Sequence, residues 1–251
     1  MALVRLDKAL ADQGMWSRKD VKALIRKGQV TVGGIPETDP GRKVDRDKDR
    51  VMVSGREIAL KEHLYLMLHK PAGVVSATRD ERERTVVDLV PPELKRPGLF
   101  PAGRLDKDTT GMMILTDDGD LAHRILSPRS HVPKTYIALL DRPVTEEMVR
   151  AFAAGIPLKG EGECLPAVLR PRGEREGEVT ICEGMYHQIK RMFTVCGATV
   201  LALKRISMGA LPLDPQLEEG ACRELTGEEL ALLERRMPLD LGEIAQEKES
   251  N

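Results

Sequence analysis

The chain has 251 residues, 41% hydrophobic but only 3% aromatic, and a net charge of −1. That is enough for one large domain or two smaller ones, with a core of Leu, Val, Ile, Met and Ala. No apolar run approaches the roughly 20 residues that span a bilayer. The opening "MALVRLDKALADQG" carries Arg, Asp and Lys where a signal peptide would be uninterruptedly apolar. A cytoplasmic protein without a membrane partner is expected. Cys164, Cys182, Cys196 and Cys222 form no Cys-x-x-Cys pair, so reduced thiols, three of them in apolar surroundings, are expected and a zinc site is not. Residues 1–60 carry about +4 and residues 216–251 about −6, which suggests a nucleic-acid-facing head and an acidic tail.

The head reads as two short helices followed by short strands. Leu6, Ala9 and Leu10 lie at helical spacing, with Gly14 as the stop. Ser17 starts a second helix, with Asp20 in capping-box position and Val21, Leu24 and Ile25 as its buried stripe. Arg18, Lys22 and Arg26 recur every four residues and stack on the other face, flanked by Lys19 and Lys27. Like charges so placed weaken an isolated helix, and a phosphate-bearing partner reverses that effect. "VTVGGIPE" and "RVMVSG" read as strands with glycine turns.

From residue 63 the texture changes. "HLYLMLHKPAGVVSA" reads as a strand broken by a turn, and "RDERERT" at 79–85 as a flexible charged loop. "MMILT", "KTYIALL", "GEVTICEG" and "TVLALKRISMG" read as strands. "DDGDLAHRIL", "TEEMVRAFAAG", "HQIKRMFTVCG" and "TGEELALLERR" read as helices, the last with a capping box at Thr226 and Glu229. Hairpins mixed with helices predict an α+β fold around a largely antiparallel sheet.

One polar insert interrupts this apolar body: "FPAGRLDKDTTGMMILTDDGD", residues 100–120. Asp106, Asp108, Thr110, Gly111 and Asp117 fall at positions 1, 3, 5, 6 and 12 of a calcium loop. Position 12 is Asp and not Glu, and the segment runs into a strand where that motif requires a helix, so no metal is expected. A phosphate loop is ruled out by the missing Gly-Lys-Ser/Thr and by the two Asp. A single reactive carboxylate fits better. Arg104 and Asp106 alternate about a buried Leu105, and a carboxylate beside a cation stays ionised. His123 and His131 have no nucleophile motif near them and are not taken as bases.

Two resemblances follow from these residues. Helix, turn, basic helix, then "GQVTVGG" and a second strand resemble the S4 RNA-binding domain, which implies Arg18, Lys19, Lys22, Arg26 and Lys27 as phosphate contacts. "GRLDKDTTGMMILTDDG", with "KTY" at 134–136, "EGMYHQIKRMF" at 183–193 and "LKR" at 203–205, resembles the pseudouridine synthases. An S4 domain in front is the arrangement of their RsuA-like branch. The resemblance implies an S4 domain over 1–60, a synthase domain over 61–236 and a loose acidic tail over 237–251.

Such enzymes break the N1–C1′ bond of a uridine in RNA, turn the uracil and rejoin it through C5, without a cofactor. The resemblance implies Asp106 as the essential carboxylate and Tyr136 against the target base. Lys190 stands as the cation beside Asp106, where many relatives have Arg, and Leu203 lies under the uracil. Arg104 fills the space of the flipped nucleotide, while Gln188 and Arg191, with His187, meet RNA phosphate. "YHQIKRM" is more like enzymes acting on small-subunit (16S) rRNA than like those acting on large-subunit (23S) rRNA. The implied partner is 16S rRNA or a partly assembled small subunit, met by a monomer. The rival readings are a relative acting on 23S rRNA and a non-catalytic structured-RNA-binding protein.

Overall fold

The computed structural model describes residues 3–127, 130, 132–160 and 162–235. The acidic segment 237–251 and His131 lie outside the described residues. The chain forms two compact units: one from residues up to 64 together with 90–100 and 116–118, the other from 65–89, 101–115 and 119 onward.

In the first unit β1 (Val4–Arg5) leads into α1 (Leu6–Ala11) and α2 (Arg18–Arg26). Strands β2 (Val30–Val32), β3 (Ile35–Glu37), β4 (Lys43–Val44), β5 (Val51–Val53) and β6 (Arg56–Ile58) follow. The antiparallel order is β3-β2-β5-β6, and β4 pairs with β1. Val30 faces Val53 and Val32 faces Val51, so period-two alternation turns all four valines to one side. There they bury with Leu6, Leu10, Val21 and Ile25, each worth about 1.5–3 kcal/mol when fully removed from water. Ser17 caps α2 by accepting the Asp20 N–H. Helix α1 stops at Ala11, three residues before the expected Gly14. Gly14 is left-handed at φ +81° with its N–H on the Ala11 carbonyl, and it also serves a close approach: a Cβ there would lie 2.3 Å from the Lys95 carbonyl oxygen. Segments 90–100 and 116–118 join this unit through Arg96, which donates to the carbonyls of Lys61 and Glu62 and pairs with Asp117.

The second unit is the α+β body. Its strands are β7 (Tyr65–Lys70), β8 (Phe100–Ala102), β9 (Thr110–Thr116), β10 (Lys134–Leu140), β11 (Pro157–Leu158), β12 (Gly162–Glu163), β13 (Val168–Pro171), β14 (Glu176–Ile181), β15 (Val200–Met208), β16 (Leu211–Pro212) and β17 (Cys222–Glu224). Its helices are α3 (Gly119–Leu126), α4 (Glu146–Ala154), α5 (Gln188–Val195) and α6 (Gly227–Glu234). The main sheet has nine strands in the path β13-β14-β10-β15-β9-β7-β17, with β16 beside β15 and β8 beside β9. Strand β10 runs antiparallel to both β14 and β15, as do β13 to β14, β16 to β15 and β17 to β7. Strand β15 runs parallel to β9. Residues 110–116 are extended as β9, so only the first four positions of the calcium-loop spacing over 106–117 lie in the loop ahead of it.

One expectation changes. The charged stretch 79–85 is a folded turn: Asp80 accepts the N–H groups of Arg82 and Glu83, and Glu83 pairs with Lys107 at 2.8 Å. All four cysteines are free, with Cys164 and Cys182 buried and Cys196 and Cys222 half-buried.

Candidate active site

The polar insert crosses from β8 to β9. Leu105 anchors it from the buried side, as the alternation requires. Ser76 Oγ donates to the Leu105 carbonyl at 2.7 Å and accepts the Leu105 N–H at 3.0 Å, so both backbone groups are held. Lys70, at the end of β7, is completely buried beneath the insert. Its ammonium donates to the carbonyls of Pro71 (3.0 Å), Lys107 (3.2 Å) and Thr109 (2.9 Å). Burial lowers its pKa to about 8, against the pull of Asp108 and Asp106. Gly111 brings β9 against β15 so closely that a Cβ would sit 2.2 Å from the Arg205 carbonyl oxygen.

Arg104 and Asp106 emerge on either side of Leu105. Asp106 meets Lys190 from the first turn of α5, with Lys190 Nζ 2.9 Å from Asp106 Oδ2 and 2.6 Å from Asp108 Oδ1. Burial alone would lower the Lys190 pKa, but the hydrogen bonds to Asp108 and Asp106 outweigh it and raise the pKa above its ordinary value. The hydrogen bond from Lys190 holds the Asp108 carboxyl below the usual range. His187 takes a left-handed φ of +49° as the residue before α5, and its Nε2 lies 3.5 Å from Asp106 Oδ1. The Tyr186 ring stacks on His187 at 3.9 Å and is 68% exposed.

The opposite wall comes from β10 and β15. Tyr136 pairs with Arg205 and Ala138 with Leu203, so these four residues share one face. Tyr136 and Leu203 are buried there. A cleft of about 760 Å³ is lined by Arg104, Asp106, Tyr136, Lys190 and Leu203, and by Lys134 and Arg205.

Two of the expected RNA contacts also hold the local fold. Gln188 also lines the cleft, but it is buried. Its Nε2 donates to Glu183 Oε1 and its Oε1 accepts the Met185 N–H, so its amide folds the 183–188 loop. Arg191 is not among the cleft-lining residues; its guanidinium donates to the carbonyls of Tyr186 and Lys159 and braces the same loop. His123 is exposed on α3 and is not part of the cleft lining.

In the first unit, Arg18, Lys19, Arg26 and Lys27 are exposed along α2. Lys22 is half-buried and lies 3.9 Å from Asp7 Oδ2. Asp7 is buried, and the Arg5 hydrogen bonds keep its pKa low.

Sequence reasoning passed over Lys70, Ser76, Tyr186, Lys134 and Arg205 as site residues. The lysines carried a signal: each sits at a core position of an otherwise apolar strand, "YLMLHK" and "KTYIALL".

Residues 64–194 match the model of the RNA pseudouridylate synthase family, and residues 4–51 match the S4 domain. The chain is 47% identical over 234 residues to a Bacillus subtilis protein named uncharacterized RNA pseudouridine synthase YtzG, covering 92% of this chain and 98% of that one. It is 44% identical to the ribosomal small subunit pseudouridine synthase A of Pseudomonas aeruginosa, covering 90% and 99% of the two chains. The Escherichia coli K12 protein of the same name is 40% identical, with 91% and 99% covered. A solved pseudouridylate synthase, 36% identical, superposes with a TM-score of 0.64 over 92% of this chain and 99% of that one. With that cleft and these relatives, the chain belongs to the RNA pseudouridine synthases of the RsuA type, isomerases that carry an S4 domain in front of the synthase domain.

Proposed function

We propose that this enzyme isomerises one uridine of small-subunit (16S) rRNA to pseudouridine through Asp106, without a cofactor. Residues 1–60 grip structured RNA and residues 61–236 perform the isomerisation. The observation that carries the reading is the pairing of Asp106 with Lys190 at 2.9 Å on a cleft also lined by Tyr136 and Leu203. The names of the Pseudomonas and Escherichia relatives support the small subunit as substrate.

The target uridine leaves its stack, and Arg104 occupies the space it vacates. Tyr136 and Leu203 take the two faces of the uracil, one by aromatic and one by aliphatic contact. Lys190 is a point charge and not a fork, so it orients Asp106 without fixing both oxygens, and one oxygen stays available to the ribose. That carboxylate attacks C1′ or removes the 2′ proton; both routes need it ionised and within about 3 Å of the sugar. The N1–C1′ bond breaks, the ring turns and C5 joins C1′. The C5 proton leaves and N1 gains one, so the product is an isomer and no external reactant is needed.

The test is incubation with transcribed 16S and 23S rRNA, followed by carbodiimide modification and primer extension, for the wild type and Asp106→Asn. Product on 16S rRNA that the variant fails to make is the expected result. Product on 23S rRNA alone overturns the substrate. Equal product from Asp106→Asn overturns the mechanism, and RNA binding without product leaves a binding protein.

A further inference from the structure

Two buried cations line the cleft and have no part in the chemistry above. Lys134 begins β10 and is 6% exposed; Arg205 on β15 is 1% exposed. Lys134 and Tyr136 alternate onto the same face of β10, and Tyr136 stands opposite Arg205 in the ladder. The two cations therefore flank the residue assigned to the base. The Lys134 ammonium has three donors and, among the described residues, makes one hydrogen bond, to the Val132 carbonyl at 3.2 Å. Arg205 donates from Nε to the Met112 carbonyl at 2.7 Å, and one Nη lies 3.9 Å from the Met113 sulfur. Among the described residues neither forms an ion pair.

A buried charge is strongly disfavoured unless something of opposite sign answers it. Glu183 lines the same cleft and its charge is felt at Lys134, but no hydrogen bond or ion pair joins the two; its Oε1 accepts the Leu165 N–H and the Gln188 amide. Burial lowers the Lys134 pKa to about 8, and the Arg205 charge pushes the same way. The amine is still mostly protonated at neutral pH. RNA phosphates are reached by exposed cations; side chains this deep meet only a group that enters the cleft. In an isomerase of this type that group is the uracil ring.

We propose that Lys134, backed by Arg205, faces the uracil and holds the negative charge the ring acquires when its bond to ribose breaks. This rests on the reading of Asp106 as the reacting carboxylate. When N1–C1′ breaks, its electron pair stays on the ring, spread over N1, O2, O4 and C5. C1′ is taken by an Asp106 oxygen or is satisfied by loss of the 2′ proton. The charge disappears from the ring as C5 bonds to C1′, and a proton then passes in net from C5 to N1. Cations fixed in a dry wall stabilise such transient charge without having to reorganise.

The experiment is single-turnover isomerisation of a 16S transcript by the wild type, Lys134→Met and Lys134→Gln, with RNA dissociation constants and melting temperatures measured alongside. It is repeated with RNA containing 5-fluorouridine, whose ring carries negative charge more readily; C5 there bears fluorine and no proton, so the reaction stops at the C5-linked ring or its water adduct, which is separated from 5-fluorouridine by chromatography and identified by mass spectrometry after digestion. Lys134→Met should lower the rate on uridine about 10²-fold, the size of a lost oxyanion donor. RNA affinity should change by less than about threefold, as expected of a residue outside the phosphate contacts. On 5-fluorouridine the deficit should shrink below about tenfold, because a better leaving group needs less help. Lys134→Gln, which keeps a donor without the charge, should follow the same ranking. An equal deficit on both RNAs, a loss carried by affinity, or unfolding of both variants at the assay temperature overturns the proposal. A wild type that makes no pseudouridine overturns the proposed function itself. An active wild type matched by Lys134→Met overturns only this inference.

Discussion

Lys190 Nζ lies 2.9 Å from Asp106 Oδ2, and the same ammonium reaches Asp108 at 2.6 Å. The two pairs are not equivalent. The Asp106 side chain is 24% exposed and that of Asp108 is 74% exposed, so water and salt screen the Asp108 pair far more. The shorter contact is thus the more screened of the two, and the Asp106 pair is the more sheltered.

Substitutions at these positions should rank accordingly. Asp106→Asn should lower single-turnover pseudouridine formation at least about 10³-fold with the melting temperature kept. Lys190→Met should cost about 10- to 10²-fold, and Lys190→Arg, which keeps the charge, should cost less. Asp108→Asn should stay within about threefold, as expected of an exposed pair. If Asp108→Asn is as damaging as Asp106→Asn, the essential carboxylate has been misassigned.

Gly111 tests the parallel crossing that holds the insert. Its φ is +104°, and an added Cβ would lie 2.2 Å from the Arg205 carbonyl oxygen and 2.7 Å from the Arg205 nitrogen. Both obstacles are backbone and cannot swing aside. Gly111→Ala should therefore destabilise by about 3 kcal/mol or more. Urea unfolding would show this as a lower midpoint at unchanged slope. An alanine variant within about 1 kcal/mol of the wild type speaks against the β9–β15 pairing.

The basic helix predicts a salt effect. Arg18, Lys22 and Arg26 changed together to Ala should weaken 16S rRNA binding. The log–log salt slope should fall by about 2 to 3, or roughly 0.9 for each phosphate that is no longer neutralised. Lys22 should contribute least, because it lies near Asp7. Filter binding across a salt series measures both quantities. A slope that does not move removes this face from the RNA surface.

Acid should loosen the end of the described chain. Arg223 Nε lies 2.6 Å from Asp214 Oδ2, and its Nη2 lies 2.6 Å from Glu229 Oε1. The Arg223 hydrogen bond lowers the Glu229 pKa from 4.5 to about 2. A depressed carboxylate pKa means the unfolded chain binds the proton more readily. The contribution is therefore complete above about pH 4.5 and is lost as the pH falls toward 2. Discounted for partial exposure, it amounts to about 1–2 kcal/mol. Between pH 5 and 2.5 the wild type should lose that much more stability than Arg223→Met in urea unfolding. Parallel curves for the two proteins would dismiss this pair as a source of acid sensitivity.

Local chemistry is legible in the sequence. Ser17, Thr145 and Thr226 each accept the N–H three residues on, and Thr226 completes its box with Glu229. Such contacts close within one turn, so residue type and spacing suffice to find them. The longer strands of the body announce themselves by apolar runs and alternation, and the long Gly-Arg-Leu-Asp motif sets the polar insert apart from them. Gly14 is left-handed with its N–H on the Ala11 carbonyl, as a helix stop requires, but the close approach of the Lys95 carbonyl to it was not legible in the sequence. The bonds of the Gln188 amide to Glu183 and Met185 were equally illegible, because they depend on how the 183–188 loop folds back.

The order of residues alone therefore determined the helices, the longer strands, the caps and the basic face of α2, and it singled out one carboxylate to watch. Only the folded chain decided what surrounds that carboxylate. Lys70 beneath it, Lys134 and Arg205 across the cleft, and the Tyr186–His187 stack all depend on which strands become neighbours. A lysine in an apolar strand reads the same whether it caps carbonyls or faces a substrate. Burial and register, which exist only in three dimensions, separate the two.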